Sequence, residues 1–388
     1  MGKFGKKNNV KLDILSYNTL LLGESKIGKT TLIKEVCEKL TNNVEDGYLF
    51  LEIAGEMGAD SIQGINYINC PTWSMDYDDV LNAAGFIDVC EDIIENKVSD
   101  YPNLRVVVWD TYDQLIEIAE AEAVRLWNKD CREKGQPDKM AKSINAAWGG
   151  FGRGEKKAME LMFDVMTRLR LVGVATIVIG HVKTKDVSDV VTGESYQVLT
   201  SDQQQNYFNA LKKKLHFLGL AYIDRKIVKQ KSGKKTINGK DEYISKVAEE
   251  TRKIKFRDDN YAVDSGSRFA EITPEIDFDA DEFIKALTDA IECERKKSGK
   301  SLEESKKEEK AAEKVAAEKI AKHEKEAREN KERDELIEKI IEWFSANKSD
   351  ISKIKPVLAK CKELGFGNPK EIDNVKAAKA VYAMTLAD

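Results

Sequence analysis

Eight residues carry the most specific chemistry in the chain: Gly23, Glu24, Ser25, Lys26, Ile27, Gly28, Lys29 and Thr30. Gly-x-x-x-x-Gly-Lys-Thr is the spacing of a loop that cradles a polyphosphate. The two glycines let the backbone turn tightly and approach the phosphates. Amides from Ser25 to Thr31 then point inward at the start of a helix, where the helix dipole favours an anion. Lys29 is placed to neutralise the β and γ phosphates of ATP, and the Thr30 hydroxyl to ligate Mg²⁺. The plain alternative is a glycine turn that only caps a helix.

A second magnesium group is expected at Asp110, which ends the apolar run Val106-Val107-Val108-Trp109. A carboxylate there is presented at the carboxyl edge of a strand, acting through water. Hydrolysis also needs a group that orients the attacking water. Thr111 follows Asp110, so the base must come from elsewhere. The stretch Leu51-Glu52-Ile53-Ala54-Gly55-Glu56 offers two acids. Glu56, at the expected strand end beside glycines, is the preferred catalytic base, and Glu52 stays open as the alternative. His181 is expected to end the strand Ala175–Gly180 and to sense the γ-phosphate. Lys183 and Lys185, just beyond it, are candidates to reach the phosphates of a neighbouring subunit.

The elements that must hold these groups alternate. Strands are expected at 17–22, 48–53, 65–68, 106–110 and 174–179. Helices are expected after Gly28 and over 77–97, 113–133 and the segment bearing Met159, Met162, Phe163, Met166 and Leu169. Alternation of this kind predicts an α/β fold with a mainly parallel sheet. Ligands then gather at the carboxyl ends of the strands, so the loops after residues 22, 53, 110 and 180 should lie together. Residues 219–257 read as a hairpin, with Ser232-Gly233 and Asn238-Gly239 as turn signals. A helix near 279–292 closes a core domain over 1–295. Residues 296–334 are almost wholly Lys, Glu and Ala and read as a charged helical linker, roughly 60 Å long if fully helical. Residues 335–388 regain apolar spacing and read as a small helical accessory domain.

Composition narrows the class. In 388 residues, 41% are hydrophobic, enough for a full core, and the net charge is −5, so any nucleic-acid surface must be local. The six cysteines form no Cys-x-x-Cys pair, and three histidines are too few and dispersed for a zinc site. The polar, basic start and the lack of a long apolar run lead us to expect no secretory signal, no membrane span and a cytoplasmic protein.

With these positions placed, the sequence resembles the RecA-like P-loop ATPases of bacteriophage, and among them the ATP-binding proteins of single-strand DNA annealing and recombination. The likeness covers about residues 15–275. It rests on Gly23–Thr30, the Glu56 region, Val106–Asp110, Gly149–Gly154, Ile179-Gly180-His181-Val182-Lys183, Phe256-Arg257 and Ser267-Arg268-Phe269. It implies a RecA-like core, Mg-ATP, homo-oligomers on single-stranded DNA, pairing of complementary strands and, for a phage protein, the host cytoplasm. It implies nothing for 296–388; these helices are an open candidate for recruiting a replication or recombination protein.

A single-strand binder needs basic charge and flat side chains. Trp148, Phe151 and Arg153, with Lys156 and Lys157 after them, combine both on a glycine-rich loop. Residues 225–240 carry seven basic residues, among them Lys231, Lys234 and Lys235. Lysines on an exposed sheet edge, where they block aggregation, are the competing explanation. The Ser-, Thr- and Gln-rich stretch 187–206 is expected to be a loop coupled to His181. Three functions compete: a DNA-stimulated ATPase in recombination, an ATP-binding scaffold with negligible turnover, and a small-molecule P-loop kinase. The long charged arm and the absence of a lid-like arginine cluster disfavour the kinase.

Overall fold

The computed structural model describes residues 9–56, 58–188, 193–235, 241–257, 266–297, 301–348 and 350–386. These fall into two compact units, one within Met1–Ile94 and Tyr101–Ala312, the other within Glu95–Asp100 and Glu313–Asp388.

The first unit is built on strands β1 (Thr19–Gly23), β2 (Tyr48–Ile53), β3 (Tyr67–Cys70), β4 (Val106–Asp110), β5 (Ala175–Ser188), β6 (Ser195–Ser201), β7 (Phe217–Lys235), β8 (Asp241–Lys255), β9 (Gly266–Ser267) and β10 (Glu275–Asp277). Their order in the sheet is β10-β8-β7-β1-β5-β4-β2-β3, with β6 on β5 and β9 on β7. From β7 through β3 the pairs are parallel, and the antiparallel pairs are those involving β6, β8, β9 and β10. The mainly parallel α/β sheet expected from the alternation is the one observed.

Helices cover both faces, which is why the central strands are apolar throughout rather than alternating. They are α1 (Lys29–Thr41), α2 (Phe86–Glu95), α3 (Tyr112–Glu133), α4 (Arg153–Leu171), α5 (Gln205–Lys212) and α6 (Ala280–Lys296). In β4, Val107 and Trp109 join the core with α2, α3 and α4, while Val106 and Val108 join the core with α1 and α6. Each such fully buried side chain contributes roughly 1.5–3 kcal/mol.

Three expectations about elements need correction. Residues 77–84 are not helical: Asp78 and Ala83 pair across a tight turn, and the Asp78 carboxylate accepts from the amides of Val80 and Leu81. Asn82 there has a φ of 46°, outside the helical region. His181 does not end its strand, because β5 runs on to Ser188. The stretch 187–206 is not one loop, since β6 pairs antiparallel with β5 from Ser188↔Ser195 to Val182↔Ser201 and α5 begins at Gln205. The hairpin read from 219–257 is present as β7 and β8, but Ser232-Gly233 is no turn, since β7 runs on to Lys235, and the Asn238-Gly239 signal lies outside the described residues.

Helix α7 (Leu302–Ala346), which begins in the first unit and belongs to the second from Glu313, is continuous across both the charged stretch and the start of the terminal segment. Asp350 caps α8 (Ile351–Glu363) and Asn374 caps α9 (Val375–Thr385). Ile340, Val357, Cys361, Ile372, Ala378 and Val381 close a small core. No helix among the described residues is long and apolar enough to cross a membrane.

Candidate active site at the carboxyl edge of the sheet

Strand β1 ends at Gly23, where a Cβ would press on the Ala221 side chain at 3.0 Å and on Lys29 at 3.2 Å. The chain then turns through Lys26 at φ 62° and Gly28 at φ 102°, a backbone region costly for a side chain at position 28. Gly28 is the N-cap of α1, and no side chain caps the helix. The first amides of α1 are therefore left for another acceptor, as an anion site requires. Lys29 is buried; its Nζ donates to the carbonyls of Gly23 at 3.1 Å and Glu24 at 3.0 Å. Burial pulls its pKa down, opposed by the charges of Asp110, Asp113 and Glu56.

The Thr30 hydroxyl donates to Asp110 Oδ2 at 2.8 Å. Asp110 is 4% exposed, and desolvation lifts its carboxyl to about 6, against the Thr30 hydrogen bond and with Glu56 nearby adding to the rise. Glu52 sits opposite Asp110 in the β2–β4 register and is 2% exposed. Its Oε1 accepts from the Ala59 amide at 2.9 Å, while Oε2 is buried without a hydrogen-bond partner among the described residues. Burial raises its pKa as well. The turn after β2, with Ala54 at φ 50° and Gly55 at φ 82°, brings Gly58 beside Thr30, where a Cβ would stand 3.5 Å from the hydroxyl.

Glu56 and His181 meet above these groups, with Glu56 Oε1 3.7 Å from His181 Nε2. His181 Nδ1 lies 2.7 Å from Asp113 Oδ2, which also accepts from the His181 amide at 3.0 Å. Gln203 donates to the other oxygen of Asp113. His181 is the last β5 residue in register with the parallel sheet, opposite Gly23. Its position at the carboxyl edge is as expected, although the strand continues past it.

The donor set suits a magnesium–nucleotide complex: uncapped amides and a lysine for phosphate oxygens, a hydroxyl and a buried carboxylate for a hard cation, and an orphaned carboxylate oxygen beside them. Thr30 and Asp110 would hold the metal, which when bound neutralises charge on the phosphates.

A family model described as an AAA domain matches residues 16–254. The chain belongs to this AAA-domain family. It is a nucleotide-binding P-loop ATPase, of a kind that generally binds ATP with Mg²⁺. No curated protein matches the chain. Among solved structures, a KaiC-like protein from the hyperthermophilic archaeon Pyrococcus horikoshii OT3 is similar, at 13% identity and a TM-score of 0.28, with 64% of this chain and 87% of that one covered.

In this AAA domain the loops after residues 22, 53 and 110 and the β5 crossing at 180 converge, as the alternation predicted. Trp148 is packed rather than free: its Nε1 donates to the Ala123 carbonyl at 2.9 Å and its ring tilts against Trp127. Phe151 is fully exposed at φ 54°, and Arg153 opens α4. Lys183 is engaged with Asp202, and Lys185 is exposed on the same arm. Lys231, Lys234 and Lys235 lie along β7. The excess of base read over 225–240 is smaller at the arm's root, because β8 sets Glu250 opposite Arg225 and Glu249 opposite Lys226. Further out, the register sets Lys229 opposite Ser245 and Lys231 opposite Tyr243, and an acid returns with Asp241 opposite Lys235. Sequence reasoning missed Asp113, Gln203 and Arg252. Asp113 lies in the first turn of a helix, where an acid is ordinary dipole chemistry. Arg252 sits in a charged run and is revealed only by its bond to the Ile27 carbonyl at 3.0 Å.

Proposed function

We propose that this domain hydrolyses Mg-ATP with Glu56 as catalytic base and His181 as γ-phosphate sensor, and that hydrolysis is coupled to binding of single-stranded DNA for annealing and recombination in phage DNA metabolism. The observation that carries the coupling is topological. β5 and β7 both run beyond their parallel registers at Gly23↔His181 and Gly23↔Ala221, and continue as antiparallel arms from the edge that bears the phosphate loop. Adjacent residues Ile227 and Val228, which point to opposite faces, are 62% and 40% exposed. An arm wetted on both faces at that point, with Lys229 set opposite Ser245, suits a polyanion.

Each arm is tied to the site. His181 N–H and ring hold Asp113, Asp113 holds Gln203, and the Asp202 amide donates to the His181 carbonyl at 3.0 Å. On the other arm, Arg225 approaches Glu24 of the phosphate loop at 3.9 Å. A change at the γ-phosphate that moves Glu56 or His181 thereby bears on β6. Phe151, held out on a left-handed turn, offers a base-stacking face, with Arg153 beside it for a phosphate. Assembly into a homo-oligomer, and recruitment of a replication or recombination protein by 335–388 across the charged segment 296–334, complete the reading on the family resemblance and the separate small core.

Filter binding of a labelled single strand, with and without Mg-ATP, tests it. ATP-dependent retention is expected; no retention in either condition refutes the DNA role. Tight ATP binding with no phosphate release identifies a scaffold instead.

A further inference from the structure

Beside the phosphate loop stands a pair of residues that hydrolysis does not use. Arg252, near the end of β8, donates from Nη1 to the Ile27 carbonyl at 3.0 Å. Its guanidinium carbon stands 5.6 Å from the centre of the Phe278 ring. The Phe278 amide donates to the Arg252 carbonyl at 3.0 Å, which fixes the two residues side by side where β10 gives way to α6. Both crowd Gly28: a Cβ there would lie 3.3 Å from Arg252 Nη1 and 3.6 Å from Phe278 Cε1. Arg252 is exposed and Phe278 only half-buried, while Ile276 and Ala280 on either side of it are buried.

Phe278 packs against the core on one side and keeps part of its ring in water beside the exposed guanidinium. The two groups are flat, and one is cationic. They reach the last loop residue before the helix amides that face phosphate. We propose that Arg252 and Phe278 form the stacking platform for the nucleobase of the bound nucleoside triphosphate. The proposal rests on the phosphate loop holding the triphosphate, and it adds which part of the ligand sets affinity. A nucleobase presents a π-face to a guanidinium or a phenyl ring, and stacking grows with ring area. Recognition by face rather than edge accepts both purines and disfavours the smaller pyrimidines.

Calorimetric titration of the full chain with Mg-ATP, Mg-GTP, Mg-CTP and Mg-tripolyphosphate tests this. In the wild type, ATP and GTP are expected to bind within about threefold of each other, and at least tenfold more tightly than tripolyphosphate, the base stack being worth roughly a factor of ten or more. Phe278→Leu keeps an apolar side chain and removes the flat face. It should weaken ATP at least tenfold and leave tripolyphosphate within about twofold, whereas Phe278→Trp should retain ATP binding. If ATP and tripolyphosphate weaken together in Phe278→Leu, the pair only braces the loop and the proposal fails. It fails equally if wild-type protein binds tripolyphosphate as tightly as ATP, or if neither variant changes ATP affinity. Wild-type protein that binds neither triphosphate overturns the phosphate-loop reading as well.

Discussion

Lys29 and Asp110 are buried groups that each shift the other's pKa, and each carries a prediction. Lys29→Ala removes the cation whose Nζ lies against the Gly23 and Glu24 carbonyls. ATP affinity should fall by about 2–5 kcal/mol, the usual consequence of truncating one partner of a buried charged contact; equilibrium binding that matches the wild type would contradict the assignment. Asp110 makes a stability prediction in the absence of nucleotide. Its carboxyl titrates near 6 in the folded protein against an ordinary 3.8, so the folded state binds the proton more tightly. Stability is therefore full below about pH 4 and is lost as pH rises through 6, by up to about 3 kcal/mol. Asp110→Asn should remove this slope, so that its melting temperature gains on the wild type between pH 4 and 7; a constant difference over that range would show that Asp110 is not destabilised by burial. Glu56→Gln should keep ATP binding and slow hydrolysis by about 10²–10⁴-fold. The same loss in Glu52→Gln, with Glu56→Gln active, would transfer the role to the acid with the orphaned oxygen. At this scale the sequence revealed what depends on spacing, namely Gly23–Thr30 and an acid at a strand end. It could not reveal Asp113 or Gln203, whose meaning comes from the tertiary contact with His181.

At the scale of elements, glycine and periodicity were informative in different degrees. Gly154 lies in the first turn of α4, where alanine ordinarily stabilises a helix by up to about 1 kcal/mol. Here a Cβ would stand 2.3 Å from the Ile144 carbonyl oxygen. Gly154→Ala should therefore lower stability, by about 1–3 kcal/mol on denaturant unfolding, as overpacking does; a stabilised variant would mean that the 144 segment yields freely. Periodicity failed at Tyr77, Val80 and Leu81, whose spacing of three and four imitates a helix face. In the fold these side chains are exposed, at 60%, 92% and 63%, and Asp78 turns the chain instead. It failed again beyond His181, where β5 pairs with β6 alone and buries little, so the strand lacks the apolar pattern that identified β4. The β7–β8 arm was legible because its lysines are a local signal, although Ser232-Gly233, read as a turn, falls inside β7. Replacing Lys229, Lys231, Lys234 and Lys235 by Gln should flatten the salt dependence of single-strand binding, by up to about one unit of log–log slope for each phosphate left without its lysine. An unchanged slope would remove the arm from the DNA track.

For the whole molecule, family membership and fold agree on a nucleotide-binding P-loop ATPase, and two arms rise from its nucleotide edge, which on the proposed reading would link hydrolysis to single-stranded DNA. That layout was only partly legible, because strand order and the exit of β5 and β7 from one edge are set by long-range pairing rather than by any local motif. A coupled machine and a nucleotide-ordered scaffold differ in one quantity, turnover. The most direct measurement is phosphate release at saturating Mg-ATP, with and without single-stranded DNA, in wild-type protein and in Lys29→Ala. Release that rises several-fold with DNA in the wild type and is lost in Lys29→Ala is the predicted result; release that is absent, indifferent to DNA, or intact in Lys29→Ala would contradict it.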